Sequence, residues 1–299
     1  MEGVTPGPVG GLRVRGYGAR DRDAVLALIG ADRITGQPQT TREMLAEALA
    51  GRSPVDSGWW AELEVPVTDV VHDDAGTVLG VVSYAVRPSD GTGFILWLHG
   101  REVPYIVALL VERVLAVLGV RRRVSAFAFA SALSLGLEGL PVGHRPVTRA
   151  ALEAAGFSAD DGWRYLHARL PLAGLPRATR VEVGDSEEPP GRRLAVHGEG
   201  EGGGGGEPVA EATVGCPVDG IGVLWWIGVT PAARRRGLGL ALLGSSLELL
   251  GDLGAREVIL FVDDVPADDP ERSRSAANRM YDRAGLVEID RLFSFERHP

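Results

Sequence analysis

Residues 229–239, VTPAARRRGLG, join an apolar strand-like run, Ile221–Val229, to a helical pattern over residues 240–250. No other stretch constrains the chain so tightly. Three arginines stand beside Gly237 and Gly239. Glycines at that spacing let a backbone approach a ligand closely and take dihedrals closed to other residues. A helix starting there offers free N–H groups and the positive end of its dipole, so its natural ligand is a phosphate or pyrophosphate. Other phosphate loops fit poorly. A Walker A loop needs Gly-Lys-Ser/Thr, but the sequence has no lysine, and the dinucleotide pattern G-x-G-x-x-G is absent from this turn.

This turn resembles the acyl-CoA pyrophosphate loop of the GNAT superfamily of N-acetyltransferases, R/Q-x-x-G-x-G/A. Arg234, Gly237 and Gly239 carry the resemblance, with Val229 and Pro231 before them. A second segment, RSAANRMYDRAGL at residues 274–286, resembles the superfamily signature N-x-x-A-x-x-L-Y-x-x-x-G-F. Ala277, Tyr281 and Gly285 match, Met280 and Leu286 are conservative departures, and Arg274 replaces the usual asparagine. The two signatures follow in the expected order, about forty residues apart.

The 299 residues suffice for one large domain or two ordinary ones, and 45% hydrophobic with 24% charged residues suits a globular protein. With no apolar run of membrane length and no signal-peptide pattern, the expectation is a cytoplasmic, unanchored chain. A net charge of −9 argues against general nucleic-acid binding, while Arg234, Arg235 and Arg236 concentrate positive charge where an anion is expected. The single cysteine, Cys216, excludes an internal disulfide and a cysteine zinc site; a buried apolar role is expected for it.

The N-terminal half shows its own alternation of patterns. A short strand at 12–14 leads to a helix capped by Asp21 or Asp23 and a second capped by Thr40 or Thr41. Strands follow at Val67–His72 and Val78–Val86, joined by the turn Asp73-Asp74-Ala75-Gly76, then at 94–98. A helix at 105–118, a strand at 123–130, a helix at 144–155 closed by Gly156 and a strand at 163–170 complete it. This order resembles the GNAT order. Where the phosphate loop should lie, however, stands Gly100-Arg101-Glu102-Val103-Pro104, whose carboxylate would repel phosphate. Trp59, Trp60, Trp97, His99, His144 and Trp163 can line a cleft, in competition with packing and surface roles.

A Pro/Gly/Leu connector at 171–176 divides the chain into residues 1–175 and 176–299. In the second part strands are expected at 180–183, 192–197, 208–214, Ile221–Val229 and 257–262, and near the end at 287–289 and 292–296. A helix over 240–250 and one capped by Asp269 intervene. Residues 184–191, between the first two of these strands, are too few for the two helices that intervene there in the GNAT folds this part resembles, so the first part is expected to lend the second a wall. The run GEGEGGGGGE at 198–207 is too polar to order itself by burial and reads as a loop between strands.

The expectation is therefore an α/β protein with a mixed sheet, two GNAT-like acyl-CoA N-acyltransferase domains in tandem, the first not binding CoA. The resemblance implies direct acetyl transfer from acetyl-CoA to an amine, either of a small molecule or of a protein N-terminus or side chain. It also implies that Ile227, Gly228 and Val229 serve the pantetheine arm. Arg234, Arg235, Arg236, Gly237, Leu238, Gly239 and Leu240 would hold the pyrophosphate. Tyr281, protonated at neutral pH, takes the family's general-acid role. For the base, Trp225 and Trp226 stand where a strand carboxylate is common, leaving Asp263, Asp264, Glu211 or water. No metal, nucleic-acid or membrane partner is implied, and a homodimer is left open. The alternative is a non-catalytic acyl-CoA sensor or partner-binding module.

Overall fold

The computed structural model describes residues 11–198, 207–263 and 274–299. The first half contains β1 (Arg13–Gly16), α1 (Arg22–Ala31), α2 (Arg42–Leu49), α3 (Ser57–Ala61), β2 (Val67–His72), β3 (Val78–Val86) and β4 (Gly93–His99). It continues through α4 (Pro104–Leu118), β5 (Val124–Ala126), β6 (Leu140–Pro141), α5 (Pro146–Ala154) and β7 (Ser158–Arg169). Thr41 caps α2, its hydroxyl accepting from Met44 N at 3.2 Å. Gly156, at φ +87°, ends α5 as expected. The strand expected over 123–130 stops at Ala126, because Phe127 turns to φ +56° and carries the chain out of the sheet into an irregular run.

The second half contains β8 (Val181–Ser186), β9 (Gly191–His197), β10 (Pro208–Gly215), β11 (Ile221–Val229), α6 (Leu238–Asp252), β12 (Glu257–Asp263), α7 (Ser275–Ala284) and β13 (Val287–Arg297). The two short strands expected at the end are one strand. Its alternation is interrupted at a register shift beside Asp290, whose carboxylate is turned aside to accept from Gly143 N and His144 N, both at 2.8 Å. Most of the glycine-rich run and the expected Asp269 cap lie outside the described residues. Cys216 corrects its expectation: it lies just past the last paired residue of β10 and is exposed.

All the described strands form one sheet, in the order β1-β2-β3-β4-β5-β13-β7-β12-β11-β10-β9-β8, with β6 beside β13. Each half repeats the succession strand–helix–strand–helix–strand, as β4-α4-β5-α5-β7 and as β11-α6-β12-α7-β13. The final strands are exchanged. β13 lies antiparallel to β5 in the first half's sheet, while β7 lies antiparallel to β12 in the second half's. The exchanged strands also pair with each other, from Val287 opposite His167 to Glu296 opposite Ser158.

The exchange is cemented by burial. Phe295 of β13 is fully enclosed in the core formed by β4, α4 and α5, and Leu166 of β7 is enclosed in the core beneath α6 and α7. Among the described residues, no helix of the second half covers the opposite face of its sheet. Ile34, Leu135 and Leu137 of the first half pack there against Val223, Trp225, Ile259 and Phe261. That is the wall expected from the missing helices. Apolar strands buried on both faces follow from this cover.

Candidate active site

β11 and β12 run parallel and are paired only from Ile221 opposite Glu257 to Leu224 opposite Leu260. Beyond that they part. The cause is local: β11 is irregular against β10 between Thr213 and Val214, so that Trp226 and Leu224 find partners and Trp225 does not. An extra residue of this kind bends a strand and increases its twist. Past the bulge, Ile227, Gly228 and Val229 remain paired with β10 on one edge and turn their other edge into the opening. Backbone donors and acceptors thereby line a slot between the two strands.

The glycine-rich turn lies at the mouth of this slot. Arg235 at φ +63° and Gly237 at φ +79° both occupy the left-handed region, and Gly237 is the residue immediately before α6. Only glycine takes that conformation without strain. Arg234 Nε donates back to Val229 O at 3.1 Å, fastening the turn to the strand end. Arg234, Arg235 and Arg236 are exposed. The N–H groups of Leu238, Gly239 and Leu240 belong to the first turn of α6 and have no partner within the helix. α6 is anchored by the connector: Ala178 N donates to Ala241 O and to Ser245 Oγ, and a side chain at Gly244 would strike Pro176 O.

The second signature closes on the first. A Cβ placed on Gly239 would meet Met280 Sδ at 3.4 Å, so α7 abuts the start of α6. Tyr281, on the same helix, is buried, and burial pushes its hydroxyl pKa up to about 12. Asn278 Nδ2 donates to Asp263 O at 3.2 Å, and Arg164 of the exchanged strand β7 donates to Asn278 Oδ1 at 2.8 Å. Asp263 ends β12 with Arg274 at 3.7 Å, so the arginine that replaces the usual asparagine faces a carboxylate. Asp264 lies outside the described residues. Glu211 is taken up by an ion pair with Arg193.

Side-chain alternation sorts these groups by face. Val258, Leu260 and Val262 point toward α6 and α7, whereas Ile259 and Phe261 point toward the first half's cover, and Asp263 follows them. Tyr281 thus stands on one side of the slot and Asp263 on the other. Sequence reasoning missed one carboxylate on that second side. Glu138, in the irregular run after β5, is half-buried beside Asp56 and Asp263, and burial with their charges raises its pKa to about 8. Its only signal in the sequence is a lone acid between Gly136 and Gly139.

The first half repeats the parting of strands but not the phosphate turn. β4 and β5 pair from Gly93 opposite Val124 to Ile95 opposite Ala126 and then diverge around a cavity of about 80 Å³. Asp32, Trp97, His99, Phe127 and Arg145 line it. Trp60 by contrast is core, its indole donating to Ala130 O at 2.7 Å, and Trp59 is exposed. Burial lowers the His99 pKa, against the opposing effect of Asp32 at 3.1 Å. Glu102 turns away from α4 and accepts from Val147 N, Thr148 N and Arg145 Nε at 2.7, 3.0 and 2.6 Å, at the start of α5. The first helical position of α4 is Pro104, which has no N–H to offer.

A parallel pair that parts at a bulge, a glycine turn opening a helix at the gap, and a tyrosine helix beside it define the GNAT fold, present here in tandem. Over 262 residues the chain is 29% identical to a mycothiol acetyltransferase of Clavibacter michiganensis subsp. michiganensis, covering 84% of this chain and 76% of that one. It superposes on a GCN5-related N-acetyltransferase from Sphaerobacter thermophilus with a TM-score of 0.61 at 17% identity, over 96% of each chain. It superposes likewise on a tandem GNAT protein from the clavulanic acid biosynthesis pathway, with a TM-score of 0.61 at 15% identity, covering 95% and 98%. No family model matches the chain. The chain thus has the tandem fold of GNAT-type N-acetyltransferases and is similar in sequence to an acetyltransferase of that kind.

Proposed function

We propose that residues 176–299 carry the acetyl transfer, that residues 1–175 wall the acceptor site without binding CoA, and that the acceptor is a small-molecule amine. The observation that carries this reading is the meeting of both signatures at the parted strands, with Gly239 against Met280. Leu238, Gly239 and Leu240 hold the pyrophosphate by their N–H groups, with Arg234, Arg235 and Arg236 supplying charge. Ile227, Gly228 and Val229 hold the pantetheine arm along the open edge of β11. Fixing donor and acceptor together removes much of the entropic barrier. Tyr281 gives its proton to the departing thiolate.

The first half is a poor second site for CoA, because Pro104 removes a donor from the start of α4 and the turn before it lacks the paired glycines. The small-molecule acceptor is proposed from the similarity to a mycothiol acetyltransferase.

Calorimetric titration of acetyl-CoA into the wild type and into Gly237→Trp tests the cofactor site. The expected result is micromolar binding, about −8 kcal/mol, abolished by the substitution. Equal binding by both proteins would refute the assignment of the loop. Binding without turnover on any amine would turn the reading into a sensor.

A further inference from the structure

We propose that Glu138, carried by the N-terminal half, is the base that takes the proton from the acceptor amine at the C-terminal half's cleft. The inference rests on acetyl transfer at that cleft and supplies what β11 lacks, since Trp225 and Trp226 occupy its central positions.

Glu138 is held by its neighbours in sequence. Thr40 Oγ1 donates to Leu133 O at 2.9 Å, and Leu135 N donates to Gln37 Oε1 at 2.8 Å. Gln37 Nε2 in turn donates to the Tyr165 hydroxyl of β7, which donates to Thr35 O at 2.9 Å. Gly136 lies flat on the Trp225 ring, where a Cβ would come within 2.2 Å of it. Gly139 lies on β13, where a Cβ would come within 2.9 Å of Leu292. The segment is therefore wedged between β11 on one side and β13 on the other, and Glu138 is the acid it carries between those contacts. This is the face of the second half's sheet that Asp263 shares and Tyr281 does not. Base and acid stand on opposite sides of the slot, as transfer through it requires.

The surrounding charges suit the task. Asp56, at the start of α3, and Asp263, at the end of β12, face Glu138; behind them stand Glu188, which acts on Asp56, and Arg274, which pairs with Asp263. Acid neighbours and burial keep the Glu138 proton on until about pH 8, close to where an amine gives up its own. A base matched in this way accepts a proton at little cost. In the reaction the Glu138 carboxylate takes one proton from the ammonium form of the acceptor. The freed nitrogen attacks the thioester carbonyl, forming C–N. Collapse breaks C–S, and the thiolate takes the Tyr281 proton. The surplus proton on the new amide nitrogen is returned through water to Tyr281, while Glu138 releases its own to solvent.

The test is thiol release from acetyl-CoA with a panel of primary amines free of thiols (glucosamine, tyramine and phenethylamine), alongside acetyl-CoA titration, for wild type, Glu138→Gln and Glu138→Asp. In the wild type kcat should rise with pH to a plateau, with a midpoint near 8. Glu138→Gln should bind acetyl-CoA within threefold of wild type, lose about a hundredfold or more in kcat, and lose the rising limb. Glu138→Asp should recover part of the rate and keep the limb. A Glu138→Gln protein with kcat within threefold of wild type and an unchanged pH profile overturns the proposal while leaving acetyl transfer intact. A wild type that binds acetyl-CoA and acetylates none of the amines overturns both, and one that fails to bind it removes the cleft itself.

Discussion

Tyr281 shows how much a single position can carry and how little of its setting a sequence conveys. The signature around it marks it as the acid, but only the fold reveals that it is enclosed, with its pKa raised to about 12. The sign of the effect is simple: a raised phenol pKa keeps the proton on across the whole working range, so Tyr281 adds no falling limb to the pH profile below about pH 11. With Glu138 titrating near 8, the profile should be a rise to a plateau and not a bell. Tyr281→Phe should lower kcat by about 10²–10⁴-fold and leave the acetyl-CoA dissociation constant within threefold, as thiol-release kinetics and calorimetry would show. Glu138 is the opposite case. Nothing about a lone acid in SLGLEGL distinguishes it from a surface loop; its meaning comes from Gly136 meeting Trp225, a contact across 89 positions of chain (225 − 136).

Elements were more legible than their partners. β2, β3 and β11 have the expected bounds residue for residue, because each is rich in β-branched or apolar residues and closed by turn residues. β5 is shorter than its sequence pattern, since the alternation of SAFAFA continues past the point where Phe127 adopts a left-handed backbone. β13 has the sequence pattern of two strands because Asp290 interrupts its apolar alternation, its side chain being spent on Gly143 and His144. The exchange of β7 and β13 left no trace. Both alternate, both follow a helix ending in glycine, and each would satisfy either vacancy beside β5 or β12. What decides between them is the pairing of the two strands with each other. Phe295 measures what the exchange is worth. Phe295→Ala removes a fully enclosed ring from the first half's core and should cost about 3–5 kcal/mol, seen as a lower urea midpoint. The transition should stay single by fluorescence and circular dichroism alike, because the strand joins both halves.

The molecule as a whole is one sheet built from two repeats, and neither repeat is closed without the other. A boundary near residue 175 is a division of sequence that the sheet does not respect. A fragment of residues 176–299 lacks β7 and leaves β12 and β13 with unpaired facing edges, the condition that favours aggregation. It should show neither cooperative melting nor acetyl-CoA binding. A fragment of residues 157–299 restores β7 between them and should recover acetyl-CoA binding by calorimetry. It should still release no thiol with an amine, because Glu138 and the cover formed by Ile34, Leu135 and Leu137 are missing.

The exchanged strands also set a timetable for biosynthesis. Arg123, at the edge of β5, finds its partner in Glu296, 173 positions later. At ribosomal speeds of about 5–20 residues per second that interval is on the order of ten to thirty-five seconds. Until it ends the first half cannot finish, its β5 edge open and its core missing Phe295. β7 waits as well, since β12 is still to come. The first repeat to leave the ribosome is therefore among the last parts of the chain to become native, and its unfinished edge is where nascent chains would need a chaperone's protection.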